Sequence, residues 1–146
     1  MNDNHGRLAF QGALLCGVLL ACKSHRTQIS GAIVVDGAAF EATECRSMQT
    51  LAASGGGMRR WVTFIDATGR QVQFNDRDSV SVQYTPSEGA TPIDVGSGCG
   101  SMNVTSGEEQ GPVAMSGAIK LDCRGSGHAV RADVSFAHCG PFGRGP

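Results

Sequence analysis

The sequence predicts an all-β domain, an antiparallel sandwich or small barrel of about seven or eight strands, bonded by disulfides. Three observations carry this. Three pairs of segments alternate apolar and polar residues and are joined by turn chemistry that fixes a hairpin register. Twenty-one glycines stand against an aromatic content of 5%, which suits many turns and short strands better than long helices. Finally, four cysteines lie within residues 28–139.

In chain order, Ile29 to Val35 and Ala38 to Glu44 flank Asp36-Gly37, a pair suited to a type I′ turn, and the register sets Ile33 opposite Phe40. Arg46 to Gly57 is ambiguous: Ser47 to Ala53 fits a helical turn or two before three consecutive glycines break it. Trp61 to Ile65 and Gln71 to Phe74 flank Ala67-Thr68-Gly69. A three-residue loop ending in Gly allows a bulged turn and pairs Val62 with Phe74 and Phe64 with Val72. Short strands are expected at Ser79 to Thr85 and Cys99 to Thr105, with a turn-rich stretch from Pro86 to Gly98 between them.

The last hairpin is the clearest. Val113, Met115, Gly117, Ile119, Leu121 and Cys123 alternate with more polar neighbours, and Gly125-Ser126-Gly127-His128 turns the chain back through Ala129 to Phe136. With Arg124 opposite Ala129, Ile119 faces Val134, Leu121 faces Ala132 and Phe136 covers Gly117. The same register sets Lys120 against Asp133 and Asp122 against Arg131, each worth roughly 0.2 to 1 kcal/mol. Residues 28–139 form the expected β domain, and residues 140–146 a loose tail with nothing to bury.

Ahead of the domain, Leu8 to Ala21 is an apolar run of 14 residues, short of the roughly 20 that span a bilayer but suited to the core of a secretory signal. It ends in Leu19-Leu20-Ala21-Cys22, which resembles the lipobox of bacterial lipoproteins. The resemblance implies that residues 1–21 are a signal peptide and that Cys22 becomes the first mature residue, carrying a thioether-linked diacylglycerol with further acylation such as palmitate. Met1 to Arg7 departs from the usual pattern, with one Arg offset by Asp3. Lys23 to Thr27 would then be the tether, at most about 17 Å when extended, so the domain sits close against its membrane. Lys23, where Asp would favour inner-membrane retention, points to the outer membrane if the cell has two. The late segment Leu121, Cys123, Val130, Val134, Phe136 and Cys139 is also similar to that of small lipoproteins of bacterial envelopes, a likeness that carries no activity.

An exported compartment makes Cys45, Cys99, Cys123 and Cys139 two disulfides. Three connectivities are open. Because Cys123 lies on the apolar face and Cys139 falls out of phase with Val134 and Phe136, the phase favours Cys45–Cys123 with Cys99–Cys139. Zinc is not expected: Cys123 with His128 and His138 with Cys139 lack ligand spacing. Gly96-Ser97-Gly98-Cys99-Gly100 is no nucleophile elbow, since Val95 and Cys99 occupy the glycine positions around Ser97, and no P-loop lysine follows. Glycines turning around a disulfide explain it. Asp66, Asp76, Asp78 and Asp94 do not match a calcium loop. His128 at a hairpin tip and His138 at a strand end read as ordinary polar positions. Trp61 reads as a core residue after two solvated arginines, with an aromatic and two cations offered to lipid headgroups or glycan as the alternative.

The formal net charge of -1 and a charged fraction of 17% without like-charge runs exclude a nucleic-acid surface. No cofactor is implied. The expected function is that of a non-enzymatic, lipid-anchored envelope domain with a binding or structural role toward an envelope protein. The competing expectations are an envelope hydrolase whose site assembles from distant residues and a carrier of a lipidic ligand.

Overall fold

The computed structural model describes residues 26–51, 56–106 and 113–141. The signal segment, Cys22 and residues 142–146 lie outside the described residues. Ten strands make up the fold: β1 Gln28–Val35, β2 Ala38–Ala39, β3 Ala42–Leu51, β4 Met58–Asp66, β5 Gln71–Asp76, β6 Val80–Thr85, β7 Ile93–Ser97, β8 Gly100–Thr105, β9 Met115–Gly125 and β10 His128–Pro141. Their order is β2-β1-β10-β3-β4-β5-β6-β7, with β9 also on β10 and β8 on β9. The eight-strand path curls into a half-barrel.

The turns impose the expected registers. Asp36 and Gly37 both have positive φ, 52° and 81°, as a type I′ turn requires, and Phe40 N donates to Ile33 O at 2.8 Å. This hairpin is shorter than expected: β2 ends at Ala39, and Ala42 to Glu44 belong to β3, which pairs with β4. The second hairpin pairs Val62 with Phe74 and Phe64 with Val72 around Gly69 at φ 82°. The third carries every expected pair, including Lys120–Asp133 at 3.3 Å and Arg131–Asp122 at 3.2 Å.

Three elements differ from expectation. Ser47 to Leu51 is strand, not helix, because Cys45, Ser47 and Gln49 all face the interior with period 2. Polar groups can occupy that face because they are satisfied there: Ser47 Oγ lies within hydrogen-bond reach of the Val113, Cys139 and Gly140 carbonyls, and Gln49 Oε1 accepts from Ser106 Oγ. β7 arises inside the turn-rich stretch, pairing with β6 across a bulge. Gly140 and Pro141 are not loose tail; they extend β10 and pair in parallel with Arg46 and Ser47.

That parallel pairing joins the two halves. β10 lies between β1 and β9 along most of its length, and its last residues turn to β3. At the other margin β7 closes against β9, where a Cβ on Gly125 would lie 2.5 Å from the Val95 carbonyl oxygen. The interior is one apolar cluster, with Phe64 at its centre. Its ring meets Phe74 edge-on at 5.9 Å and Phe136 at 5.6 Å, bridging β4, β5 and β10. Trp61 is not in this cluster. It shares the outer face of β4 with Thr63, between Met48 and Asn75, and is half-buried there.

The disulfides are Cys45–Cys139 and Cys99–Cys123, with Cα separations of 5.0 and 5.3 Å. This corrects the connectivity favoured by strand phase. The register of β10 slips between Phe136 and Cys139, and His138 takes a positive φ of 54°. The bulge turns Cys139 back into the interior beside Cys45, where it is fully buried. Cys99, freed from Cys139, meets Cys123 across the adjacent β8–β9 pair. Entropically, closing 94 and 24 residues constrains the unfolded chain by about 4.7 and 3.4 kcal/mol.

Candidate functional site

Strand direction sorts the connections into two ends. The β1–β2, β4–β5, β6–β7 and β9–β10 connections lie at one end, here called the rim, while the chain enters β1 at the other. The rim gathers polar side chains far apart in sequence.

Its first half clamps two turns. His128 Nδ1 lies 2.7 Å from Asp36 Oδ2, Ala129 N donates to Asp36 Oδ1 at 2.8 Å, and Asp36 N donates to Ala129 O at 2.8 Å. The imidazole and the Ala129 amide hold the Asp36 carboxyl below its ordinary pKa of 3.8. The His128 ring leans edge-on against Tyr84 of β6, with centroids 5.3 Å apart.

The second half is built on Asp66, at the end of β4. Its Oδ1 accepts from Thr68 N at 2.9 Å, Thr68 Oγ1 at 2.8 Å and Arg70 N at 2.9 Å, while Oδ2 accepts from Arg70 Nε at 2.6 Å. Burial opposes charge on Asp66, but the bonds from Thr68 and Arg70 outweigh it and hold the carboxyl below 3.8. The carboxylate in turn raises the Arg70 pKa against its own desolvation. Arg70 also sets its guanidinium 5.5 Å from the Phe40 ring centroid. The rim thus carries two sets of contacts, Asp36–His128–Tyr84 and Asp66–Arg70–Phe40.

Chemically this arrangement offers a fixed carboxylate, an oriented imidazole and a guanidinium whose geometry is set before any ligand arrives. Such preorganisation favours binding, because little side-chain entropy remains to be lost. The Asp–imidazole pair is also the orienting half of a hydrolytic constellation.

The other residues singled out by sequence lie elsewhere. Asp94 Oδ1 accepts from Gly96 N at 3.0 Å, an Asx-type turn. The following glycines carry the chain around the Cys99–Cys123 bridge, with Gly98 at φ 70°. Arg77 and Asp78 pair at 3.4 Å in an exposed turn, and Asp76 lies 3.8 Å from Arg60. His138 sits in the β10 bulge, its amide donating to Ser116 Oγ at 3.0 Å and its carbonyl accepting from Thr27 Oγ1 at 2.8 Å. Among the described residues no three His, Cys, Asp or Glu side chains converge as metal ligands. Sequence reasoning placed His128 at a tip and Asp36 in a turn but had no signal to bring them together. Tyr84 and Arg70 were missed.

By fold and site this is a disulfide-bonded all-β half-barrel with a polar rim. Comparisons with protein-family models, with curated proteins and with solved structures gave no match.

Proposed function

We propose that this chain is a lipid-anchored domain of the bacterial envelope, held outside the cytoplasm through Cys22, which binds an envelope partner with its rim and performs no chemistry on it. The single observation that supports this reading is polarity along the strands: the chain enters β1 at the end opposite the rim cluster. An anchor at Cys22, six residues before Gln28, would draw the entry end to the bilayer and turn the rim outward. Two disulfides and the clamped turns suit a stiff presenting scaffold.

Site-specific photocrosslinking in intact cells tests it. Crosslinkers at Thr68, Ser87 and Ser126 on the rim are expected to trap the same envelope protein, and crosslinkers at Asn103 and Ser135 on the sheet surface are not. Equal labelling from both sets overturns the assignment of the rim. The Asp36–His128 contact gives a second reading, hydrolysis. His128→Gln distinguishes them: loss of an envelope phenotype with partner crosslinking intact favours the enzyme.

A further inference from the structure

The two disulfides differ in how their sulfurs can be reached. Cys45 and Cys139 are 3% and 0% exposed and both belong to the interior cluster, so neither end of that bridge meets solvent. The other bridge runs from the core to the surface. Cys123 is 1% exposed, whereas Cys99 is half-buried and stands between exposed Ser97, Gly98 and Gly100.

Cys99 also stands in the wall of an open hollow of about 380 Å³ on the outer face of β9 and β10, bordered by Lys120, Asp122, Arg131 and Asp133. These four side chains pair across the strands, Lys120 with Asp133 and Asp122 with Arg131. Exposed pairs of this kind are held by about 1 kcal/mol or less, so an incoming molecule can displace them. The backbone that keeps Cys99 beside Cys123 does not depend on the bridge. Asp122 N donates to Cys99 O at 3.1 Å, and Gly100 pairs with Leu121.

A thiolate opens a disulfide by attacking one sulfur from the side opposite the other, so access decides which sulfur is attacked. With Cys123 inside, the open side of Cys99 faces outward, and the corresponding side of Cys123 is filled by the core. We infer that Cys99 is a thiol-exchange site. An incoming thiolate bonds to Cys99 Sγ as the Sγ–Sγ bond to Cys123 breaks. The electron pair of that bond leaves on Cys123 Sγ, which takes up a proton. Where the incoming molecule is a dithiol, its second thiolate attacks its own sulfur in the mixed disulfide and Cys99 leaves as a thiolate. The dithiol is then oxidised by two electrons and the Cys99–Cys123 pair reduced by two. Exchange loosens the bend between β7 and β8, at the margin where Val95 meets Gly125, and leaves the Cys45–Cys139 link between β3 and β10 intact. It needs neither an acyl chain nor a rim partner, so it stands or falls apart from the function proposed above.

The test uses the oxidised full chain as isolated from bacteria, without denaturant and at mildly alkaline pH. One probe is reduced glutathione. The other is a protein dithiol of the Cys-x-x-Cys class whose second cysteine is replaced by serine, which traps the mixed disulfide. After acid quenching and alkylation, peptide masses locate each sulfur. Expected is an adduct on Cys99, with Cys123 alkylated and Cys45–Cys139 still closed. The buried bridge exchanges only in opened molecules, one in about a thousand or fewer. Cys99–Cys123 should therefore exchange at least about a thousandfold faster. Cys123→Ser should let Cys99 accumulate one adduct from oxidised glutathione, whereas Cys99→Ser should leave Cys123 unmodified until urea unfolds the chain. An adduct from the protein dithiol alone supports the inference and assigns the thiolate to a protein, and one from glutathione alone supports it and assigns the thiolate to a small molecule. Equal resistance of both bridges up to the unfolding transition overturns the inference, as does an adduct on Cys123 or earlier opening of Cys45–Cys139. These outcomes are read on the wild-type chain, so a variant that fails to fold does not decide them.

Discussion

Asp66→Ala is the sharpest test of how the rim is held. The carboxylate is buried, with 5% of its side chain exposed, and it accepts four hydrogen bonds from Thr68 and Arg70. A hydrogen bond to a charged group contributes about 1.5 to 3 kcal/mol, but four on one carboxylate are not additive. Breaking a buried ion pair by removing one partner costs about 3 to 5 kcal/mol. Arg70 is 34% exposed and recovers water, so a loss of about 2 to 4 kcal/mol is expected. With a urea slope near 1.5 kcal/mol per molar, the unfolding midpoint falls by about 1.3 to 2.7 M at neutral pH. Asp66→Asn keeps an acceptor for the Thr68 and Arg70 amides and should lose less. Arg70→Ala leaves Asp66 three donors on Oδ1 and should also lose less than Asp66→Ala.

The pH dependence supplies the sign. Asp66 titrates lower in the folded state than in the unfolded chain, so its contribution is fully present above about pH 4 and disappears as pH falls through the folded value. The gap between wild type and Asp66→Ala should therefore narrow in acid. A midpoint within about 0.3 M of wild type at neutral pH, equivalent to roughly 0.5 kcal/mol, would refute the reasoning.

Peptide mapping without reduction should recover Cys45 with Cys139 and Cys99 with Cys123. Replacing each pair with alanine should destabilise by up to about 4.7 and 3.4 kcal/mol respectively, read by chemical unfolding. Gly31→Ala should cost more than the roughly 1 kcal/mol typical of a surface strand glycine. Gly31 has φ 95°, and its new Cβ would run into the Asp133 carbonyl; a thermal midpoint equal to wild type would contradict this. His128→Ala removes the largest cause of the depressed Asp36 pKa. NMR titration should then show the Asp36 carboxyl moving up toward 3.8, and an unmoved value would detach it from His128.

The hairpins were legible because turn chemistry and cross-strand pattern agree. Asp36-Gly37, Gly69 and Ser126-Gly127 demand particular backbone conformations, and the Lys120–Asp133 and Asp122–Arg131 pairs confirm one register independently. β3 was illegible because Ser47 and Gln49 occupy the buried face, so its period of 2 reads as a polar stretch. The disulfide pairing was illegible for a local reason: the bulge at Ala137 and His138 inverts the phase of Cys139. β7 was hidden among turn residues whose pairing with β6 is itself bulged. The rim was the least legible part, since its members reach one another only through the curl of the sheet. Trp61 misled in the other direction, its apolar size suggesting the interior that Val62 and Phe64 occupy.

The central claim is that the domain is carried on lipid at Cys22, and intact-mass measurement of the protein extracted from bacterial membranes tests it most directly. The expected species begins at Cys22 and exceeds the mass of residues 22–146 by a diacylglycerol, with or without one further acyl chain. A polypeptide that retains Met1 to Ala21, or one that begins at Cys22 with no added lipid, would contradict it.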